Sequence, residues 1–355
     1  MRVGLVVAAL AVLPTTAGAQ TPVKGEGRET PLRPTATYSI VARDPETGEL
    51  GVAVQSHWFS VGPLVPWAEA GVGAVATQSL VEVSYGPLGL DLMRAGRTAP
   101  EALAGLVAAD PHPEVRQVAM IDARGRVAAH TGEDAILAAG HQTGEGYSVQ
   151  ANLMEHATVW PAMAQAFEAT EGDLAARMLA ALEAAQAEGG DIRGRQSAAL
   201  LVVAGEPTGR PWQDRIFDLR IEDHPEPLVE LGRLLHLARA YREMNAGDEA
   251  MTTSDIDAAV AHYNRAAEMV PESAEMVYWA GVSLAGADRV EEALPRFERA
   301  FAADPGWAVL TPRLPLSGLL PDDPGLLRRV LAVPGGEAGM DEWRRLAQEG
   351  LMPAP

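Results

Sequence analysis

Cysteine is absent from this chain of 355 residues. Its absence excludes disulfide bonds, a thiol nucleophile and thiolate metal sites, so the fold must be held by packing alone. Aromatic residues are also scarce, at 5% against 47% hydrophobic residues overall. Small aliphatic side chains, above all alanine and valine, must therefore fill the core.

Basic residues are few relative to acidic ones, with 28 Lys and Arg against 48 Asp and Glu and a net charge of −20. Nucleic acids and anionic membranes bind through basic surfaces, so the acidic balance argues against both as partners. The chain also lacks a phosphate loop, a G-x-S-x-G elbow and a His-Glu-x-x-His motif. Its eight histidines are scattered without metal-ligand spacing. We therefore expect neither a metal nor another cofactor.

Only one apolar run is long enough to suggest targeting. Residues 3–13 are apolar, follow Arg2 and end at Pro14, and the A-x-A sequence at 17–19 suits signal peptidase. We predict a signal peptide at 1–19 and a periplasmic or secreted protein that begins at Gln20. The run is too short to remain as a membrane span, so no stable membrane insertion is expected.

Residues 20–36 are polar, rich in Pro and Gly, and without hydrophobic period, which indicates a flexible linker or a pro-segment. Order is predicted from Thr37, where apolar and polar residues alternate. This run and a second apolar run from Leu50 to Gln55 flank a Pro/Gly-rich turn at 44–48 and predict a β-hairpin. The helix predicted over 99–109 has Thr98 as its N-cap, with Glu101 three residues later. Further strands are predicted at 72–76, 115–122, 127–131, 197–204 and 216–221, and further helices at 88–95 and over 154–189, with a break near 170–172.

This order of strands and helices predicts an α+β domain with antiparallel sheets and helices layered on them. After Pro227 the pattern becomes all helical and carries a repeat. Four positions recur after 34 residues, the period and spacing of a tetratricopeptide unit: Ala259, Tyr263, Ala266 and Pro271 return as Ala293, Phe297, Ala300 and Pro305. We predict a tetratricopeptide-like domain at 228–333 and a C-terminal tail at 334–355. Its first helix is predicted over 228–245, followed by a turn lengthened by residues 246–254.

Polar residues placed among small or apolar neighbours are the candidates for chemistry. They stand at predicted strand ends, which can converge at one edge of a sheet sandwich and offer hydroxyl nucleophiles, oxyanion donors and charges for an anionic substrate group. Each could instead merely cap a strand or turn, and the two arginines could pair with Asp44 or Asp191. The candidates are Thr37, Ser39, Ser56, Gln78, Asn152, Asp191, Arg193, Arg195, Gln196 and Ser197.

Several separate blocks of this sequence form a recognisable series. The blocks are, in order, Thr37 to Asp44, Gly48 to Val54, Val65 to Ala68, Ala70 to Gln78, Tyr85 to Pro87, Gly146-Tyr147 with Gln150 and Asn152, and Gly189 to Ala199. Together they resemble a bacterial family known as domain of unknown function 1028, which is grouped with the N-terminal-nucleophile (Ntn) hydrolases. The resemblance implies a four-layer αββα sandwich over residues 37–222.

The same resemblance implies a mechanism. In Ntn hydrolases a Thr, Ser or Cys becomes the first residue, and its own α-amine acts as general base for its side chain. Here Thr37 would be the nucleophile for a small amide or peptide substrate. Ser39, on the same strand face, is the weaker candidate for the nucleophile and could instead assist. Gln78 or Asn152 would donate to the oxyanion, and Arg193 or Arg195 would hold an anionic group. Because Thr37 is internal, this chemistry requires a cut between Ala36 and Thr37.

Two other functions stay open. The sandwich could be a non-catalytic scaffold whose helical tail binds a protein or peptide partner, and the mature chain would then begin at Gln20. A hydrolase that uses an internal hydroxyl such as Ser56 or Ser197 ranks last, since no histidine lies nearby in sequence to activate it. Ntn-type sandwiches often associate, which also leaves a homo-oligomer open.

Overall fold

A computed structural model describes residues 37–355. The predicted signal peptide and the predicted linker or pro-segment lie outside these residues. Ten strands form two sheets in the first half of the described chain. Their bounds are β1 Thr37–Arg43, β2 Leu50–Ser56, β3 Pro66–Glu69, β4 Gly73–Ser79, β5 Arg116–Asp122, β6 Val127–Thr131, β7 Gly140–Gly144, β8 Tyr147–Asn152, β9 Ser197–Val203 and β10 Arg215–Ile221.

Every strand pair in the two sheets is antiparallel. The larger sheet has the order β10-β9-β2-β1-β8-β7 and the smaller one β3-β4-β5-β6. The sheets face each other across a core that includes Val41 and Val52 on one side and Ala76 and Ile121 on the other. Because side chains alternate along a strand, β1 sends Ser39 and Val41 into this core and Tyr38 to the opposite face.

Eleven α-helices are found among residues 37–355: α1 Tyr85–Arg94, α2 Ala99–Ala109, α3 Val159–Ala169, α4 Leu174–Ala187, α5 Pro227–Thr252, α6 Ile256–Met269, α7 Ala274–Gly286, α8 Val290–Ala303, α9 Pro305–Leu310, α10 Pro324–Leu331 and α11 Glu337–Gln348. Helices α3 and α4 pack on the outer face of the larger sheet. Helices α1 and α2 cover the outer face of the smaller one. The resulting four layers confirm the α+β prediction.

Local signals in the sequence account for several helix ends. The capping box predicted at the start of α2 is present, because Thr98 Oγ1 accepts from Glu101 N and the Glu101 carboxylate accepts from Thr98 N. The break predicted near 170–172 separates α3 from α4, which Asp173 caps. The prediction of a lengthened turn at 246–254 is wrong, since α5 continues to Thr252. Residues 246–252 contain good helix formers, and the one glycine there, Gly247, is buried against the Tyr263 ring.

Helix α5 belongs to two cores. Its first turns contribute Leu228, Leu231 and Leu235 to the core under the larger sheet. Its later turns contribute Ala240 and Met244 to a second core shared with α6 and α7. The helical region therefore starts inside the packing of the sandwich rather than after a linker.

The repeated positions pack as the tetratricopeptide pattern requires. In α6 and α8 the equivalent side chains are fully buried: Ala259, Tyr263, Ala266, Ala293, Phe297 and Ala300. Small residues at these positions let neighbouring helices approach. The segment named as a C-terminal tail contains α11, whose Trp343 is buried and donates from Nε1 to Pro353 O at 2.8 Å.

Candidate functional site

Four strands of the larger sheet begin or end at the same edge. Thr37, the first residue of β1, lies opposite Ser56 at the end of β2 and opposite Asn152 at the end of β8. Ser56 in turn lies opposite Ser197, the first residue of β9. Antiparallel pairing therefore brings together four of the predicted site residues from four distant parts of the sequence.

Thr37 is fully buried and polar groups surround it. Its Oγ1 lies 3.2 Å from Ser56 Oγ and is placed to donate to it. Its main-chain carbonyl accepts from Gln78 Nε2 at 3.2 Å and from Asn152 Nδ2 at 3.4 Å. Gln78 comes from β4 of the opposite sheet, so both sheets contribute to the surroundings of Thr37.

Ser39 lies deeper on the same face of β1 and links the two sheets. Its Oγ donates to Gln78 Oε1 and accepts from Gln150 Nε2, each at 2.6 Å. Gln117 on β5 extends this network, since its Oε1 accepts from Gln78 Nε2 at 2.7 Å and from Asn152 Nδ2 at 2.9 Å. The five side chains are fully buried, and hydrogen bonds to one another compensate the loss of water.

Sequence reasoning missed two members of this network, Gln117 and Ser148. Gln117 Nε2 donates to Ala151 O at 2.9 Å, and Ser148 Oγ donates to Gln150 Oε1 at 3.0 Å. The available signal was a glutamine directly before the apolar residues 118–121 of β5, because an amide in a buried strand needs partners.

Some buried polar atoms near this edge have no hydrogen-bond partner among residues 37–355. They include Asn152 Oδ1, Ser79 Oγ and both amide atoms of Gln55. Ser79 also has a left-handed backbone, with φ of 73°, a conformation that non-glycine residues rarely adopt. Unsatisfied groups and strained backbone of this kind concentrate at functional sites.

The loop from Gly189 to Gln196 closes over the end of β2. Asp191 is buried, accepts from His57 N at 3.0 Å and forms an ion pair with Arg193, with 2.9 Å between Oδ2 and Nη2. Asp44 instead accepts from the main-chain nitrogens of Glu46 and Thr47 in its own turn. Of the two aspartates that the sequence offered as partners for the arginines, Arg193 therefore pairs with Asp191. Burial, and then the negative charge of Asp191, raise the pKa of Tyr38 on the outer face of the sheet well above its ordinary value.

The last three predicted residues have partners away from the Thr37 hydroxyl. Arg195 forms an ion pair with Glu226, and Gln196 Nε2 donates to Asp223 Oδ1 at 3.2 Å, so both hold the segment before α5. Ser197 Oγ donates to Trp58 O at 2.5 Å and accepts from Val61 N at 3.1 Å, which fixes the loop after β2. The structure thus groups Thr37, Ser39, Ser56, Gln78 and Asn152, with Asp191, Arg193 and Ser197 beside them.

Comparison with known proteins agrees with this architecture. The model of a family of unknown function, DUF1028, matches residues 37–231, more than half of the chain. The chain belongs to the DUF1028 family. A crystal structure of protein SPO2555 from Silicibacter pomeroyi, also a DUF1028 protein, is similar, with a TM-score of 0.51 and 31% sequence identity. The similarity covers 57% of this chain and 89% of SPO2555. Among curated proteins no match was found.

A segment that follows the DUF1028 match in this protein matches the model of a different family. Residues 244–306 match a tetratricopeptide repeat, which confirms the repeat read from the sequence and suggests that this region takes part in protein–protein interaction. Within residues 37–355, no helix combines the length and apolar character needed to cross a membrane. The same stretch of chain contains no group of three or more His, Asp or Glu side chains arranged to hold a metal ion.

Proposed function

We propose that the DUF1028 domain is an Ntn-type amidohydrolase that cleaves a small amide or peptide bond with Thr37 as nucleophile. The observation that carries the proposal is the position of Thr37. It is the first residue of a central strand, its hydroxyl points between the sheets, and amide donors from both sheets lie within 3.4 Å of its carbonyl oxygen.

The chemistry begins with cleavage between Ala36 and Thr37, which converts the amide nitrogen of Thr37 into a free α-amine. Such an amine has a pKa of about 7.7–8.0 and can take the Oγ1 proton near neutral pH. Asn152 lies opposite Thr37, and its Oδ1 is a buried acceptor without a partner among the described residues. This oxygen would accept a hydrogen bond from the protonated amine.

In the acylation step Thr37 Oγ1 bonds to the substrate carbonyl carbon, and its proton passes to the α-amine. The α-ammonium then protonates the leaving nitrogen as the C–N bond breaks, and water hydrolyses the resulting ester. Gln78 Nε2 and Asn152 Nδ2 are the candidate hydrogen-bond donors to the negative charge that develops on the substrate's carbonyl oxygen. Ser56 Oγ, at 3.2 Å, orients the attacking hydroxyl.

The test begins with the N-terminus of the protein isolated from its native compartment, determined by intact mass and N-terminal sequencing. We expect a start at Thr37 and covalent labelling of Thr37 by a β-lactone probe. Thr37→Ala should abolish labelling and amide hydrolysis, whereas Thr37→Ser should retain both. Ser148→Ala is the matched control, because it removes a buried hydroxyl from the same network without touching Thr37. A native chain that begins before Thr37 and resists labelling would contradict the proposal.

The second candidate is a non-catalytic scaffold, which the tetratricopeptide match at 244–306 favours. On this view the helical region binds a protein or peptide partner and the sandwich only supports it. A mature chain that begins at Gln20 is its expected result. Both candidates share the proposal of an exported protein, periplasmic or secreted, which fractionation of cells producing the full chain would test.

A further inference from the structure

A cleft of about 310 Å³ lies where α5 and α6 meet the sandwich. Its sandwich side is formed by Glu49 in the first hairpin, by Asp173 at the start of α4 and by Phe217 on β10. Its helical side is formed by Arg239, Arg242 and Met269. The volume is at the lower end of the range for small-molecule sites, about 300–1,000 Å³, and suits a ligand the size of an amino acid.

The cleft is separate from the Thr37 site. Glu49 immediately precedes the first residue of β2, whereas Thr37 lies opposite Ser56, the last residue of that strand. A strand of this length spans roughly 20 Å. A ligand in the cleft therefore lies at the other end of the sheet.

Most charges around the cleft already have partners. Arg239 pairs with Asp173, with Nη2 and Oδ1 2.5 Å apart. The carboxylate of Glu243, which also lines the cleft, accepts from His262 Nδ1 at 2.8 Å and from Arg265 Nε at 2.9 Å. These groups neutralise one another and leave little charge for a ligand.

Two opposite charges remain unpaired. The guanidinium of Arg242 lies 5.2 Å from the centroid of the Phe217 ring, and it forms no hydrogen bond or ion pair within the described chain. The Glu49 carboxylate likewise has no ion pair there. Burial, and then the negative charge of Asp44, raise the pKa of Glu49 despite the nearby Arg242. A cation beside Glu49 would offset this unfavourable burial of a carboxylate.

We propose that this cleft binds a free α-amino acid with an apolar side chain. The ligand carboxylate would pair with the forked guanidinium of Arg242, and its ammonium group with Glu49. The side chain would pack against Ile216, Phe217 and Met269, the apolar part of the lining. A zwitterion fits both charges at once, whereas a simple anion or cation would pair with one and leave the other without an ion pair.

The experiment is isothermal titration calorimetry of the full chain with three related ligands. L-Leucine carries both charges, N-acetyl-L-leucine lacks the ammonium group and L-leucinamide lacks the carboxylate. The variants are Glu49→Gln and Arg242→Gln. Their matched controls are Glu46→Gln in the same hairpin turn and Arg233→Gln on the same helix, both outside the cleft.

We expect L-leucine to bind, and each analogue to bind about tenfold more weakly or worse, as the loss of a charged hydrogen bond implies. Glu49→Gln should weaken L-leucine by a similar factor but leave N-acetyl-L-leucine unchanged, and Arg242→Gln should weaken L-leucine but leave L-leucinamide unchanged. The controls should bind like the original chain.

Three results would overturn the proposal. The first is no binding of L-leucine, L-methionine or L-phenylalanine at millimolar concentration. The second is binding that is the same in both variants and in their controls, which would place the ligand elsewhere. The third is sensitivity to only one of the two variants, which would indicate recognition of a single charge.

Discussion

Ser39 on β1 donates a hydrogen bond of 2.6 Å to Gln78 on β4 and so joins the two sheets through their buried polar layer. The same hydroxyl accepts from Gln150, which makes it the shared partner of two amides. In the low-dielectric interior, a buried polar group that loses its partner is costly, so each hydrogen bond of this polar layer contributes to stability.

Ser39→Ala should therefore destabilise the fold, because it leaves Gln78 Oε1 and Gln150 Nε2 without the hydroxyl. Each buried group left unsatisfied costs about 1–3 kcal/mol. Urea unfolding of Ser39→Ala, Gln78→Met and the double variant forms a double-mutant cycle. We expect a coupling energy of about 0.5–3 kcal/mol for contacting residues. Strictly additive effects would show that the contact does not contribute.

The ion pair between Asp110 and Arg116 is predicted to make stability depend on pH. Both side chains are at least 96% buried, with 2.8 Å between Oδ2 and Nε. Burial opposes ionisation of Asp110, but its hydrogen bonds with Arg116 and His112 N outweigh burial and lower the pKa. The carboxyl thus stabilises the fold above its unfolded pKa, and this stabilisation is lost as pH falls through the folded pKa.

Asp110→Ala should cost about 3–5 kcal/mol at neutral pH, since it leaves Arg116 buried without its counter-ion. Urea unfolding between pH 7 and pH 3 should also show a weaker pH dependence in the variant than in the original chain. The exposed pair of Asp91 with Arg94 provides the comparison, and Asp91→Asn should change stability by less than about 1 kcal/mol. Equal effects of the two substitutions would contradict the prediction.

Glu342 on α11 should give the helical region its own acid sensitivity. Two hydrogen bonds from Arg345, and a further one from Arg313, hold the pKa of Glu342 at about 2, against an ordinary value of 4.5. Its contribution to stability is present above pH 4.5 and is lost as pH falls towards 2. Glu342→Gln should remove this part of the pH dependence in acid titrations followed by circular dichroism. Glu349→Gln, which removes only an exposed partner of Arg345, should leave the titration curve in place.

Two glycines of α5 should respond in opposite directions to alanine. A Cβ on Gly247 would lie 2.4 Å from Cε1 of the Tyr263 ring, so Gly247→Ala should destabilise by about 1–3 kcal/mol. A Cβ on Gly232 would meet its nearest neighbour, Leu179 Cδ2, at an ordinary 3.6 Å, so Gly232→Ala should stabilise by about 0.5–1 kcal/mol. Thermal unfolding of the two variants tests whether each substitution raises or lowers stability. A stabilised Gly247→Ala would show that the α5 backbone at Gly247 is not in tight contact with the Tyr263 ring.

The sequence predicts the parts of the fold whose signals are local. The first hairpin follows from alternation around a turn, the α2 start from its capping box and the repeat from its period. Strand β7 escapes prediction because its sequence, Gly-His-Gln-Thr-Gly, is polar and largely exposed. Strand β8 also escapes prediction. Apolar and polar residues alternate along it, and although both faces are buried, its polar residues are of types common in loops.

The candidate site is predictable only in part for a similar reason. The polar residues at strand ends are visible in the sequence, and antiparallel pairing brings several of them together. The contact of Gln78 with Gln117 depends instead on the register of β4 against β5. The contact of Gln78 with Ser39 depends on how the two sheets face each other. Neither relation is encoded by residues near each other in the chain.

Helix α5 has a consequence for how the molecule denatures. The family match ends at residue 231 and the repeat match begins at 244, yet the helix runs unbroken from Pro227 to Thr252 and serves the cores on both sides. Because one continuous helix carries side chains of both cores, loss of the core on one side removes packing that holds the helix in place for the core on the other side. The matched segments are therefore coupled thermodynamically, and calorimetry should record a single endotherm where sequence comparison finds two modules.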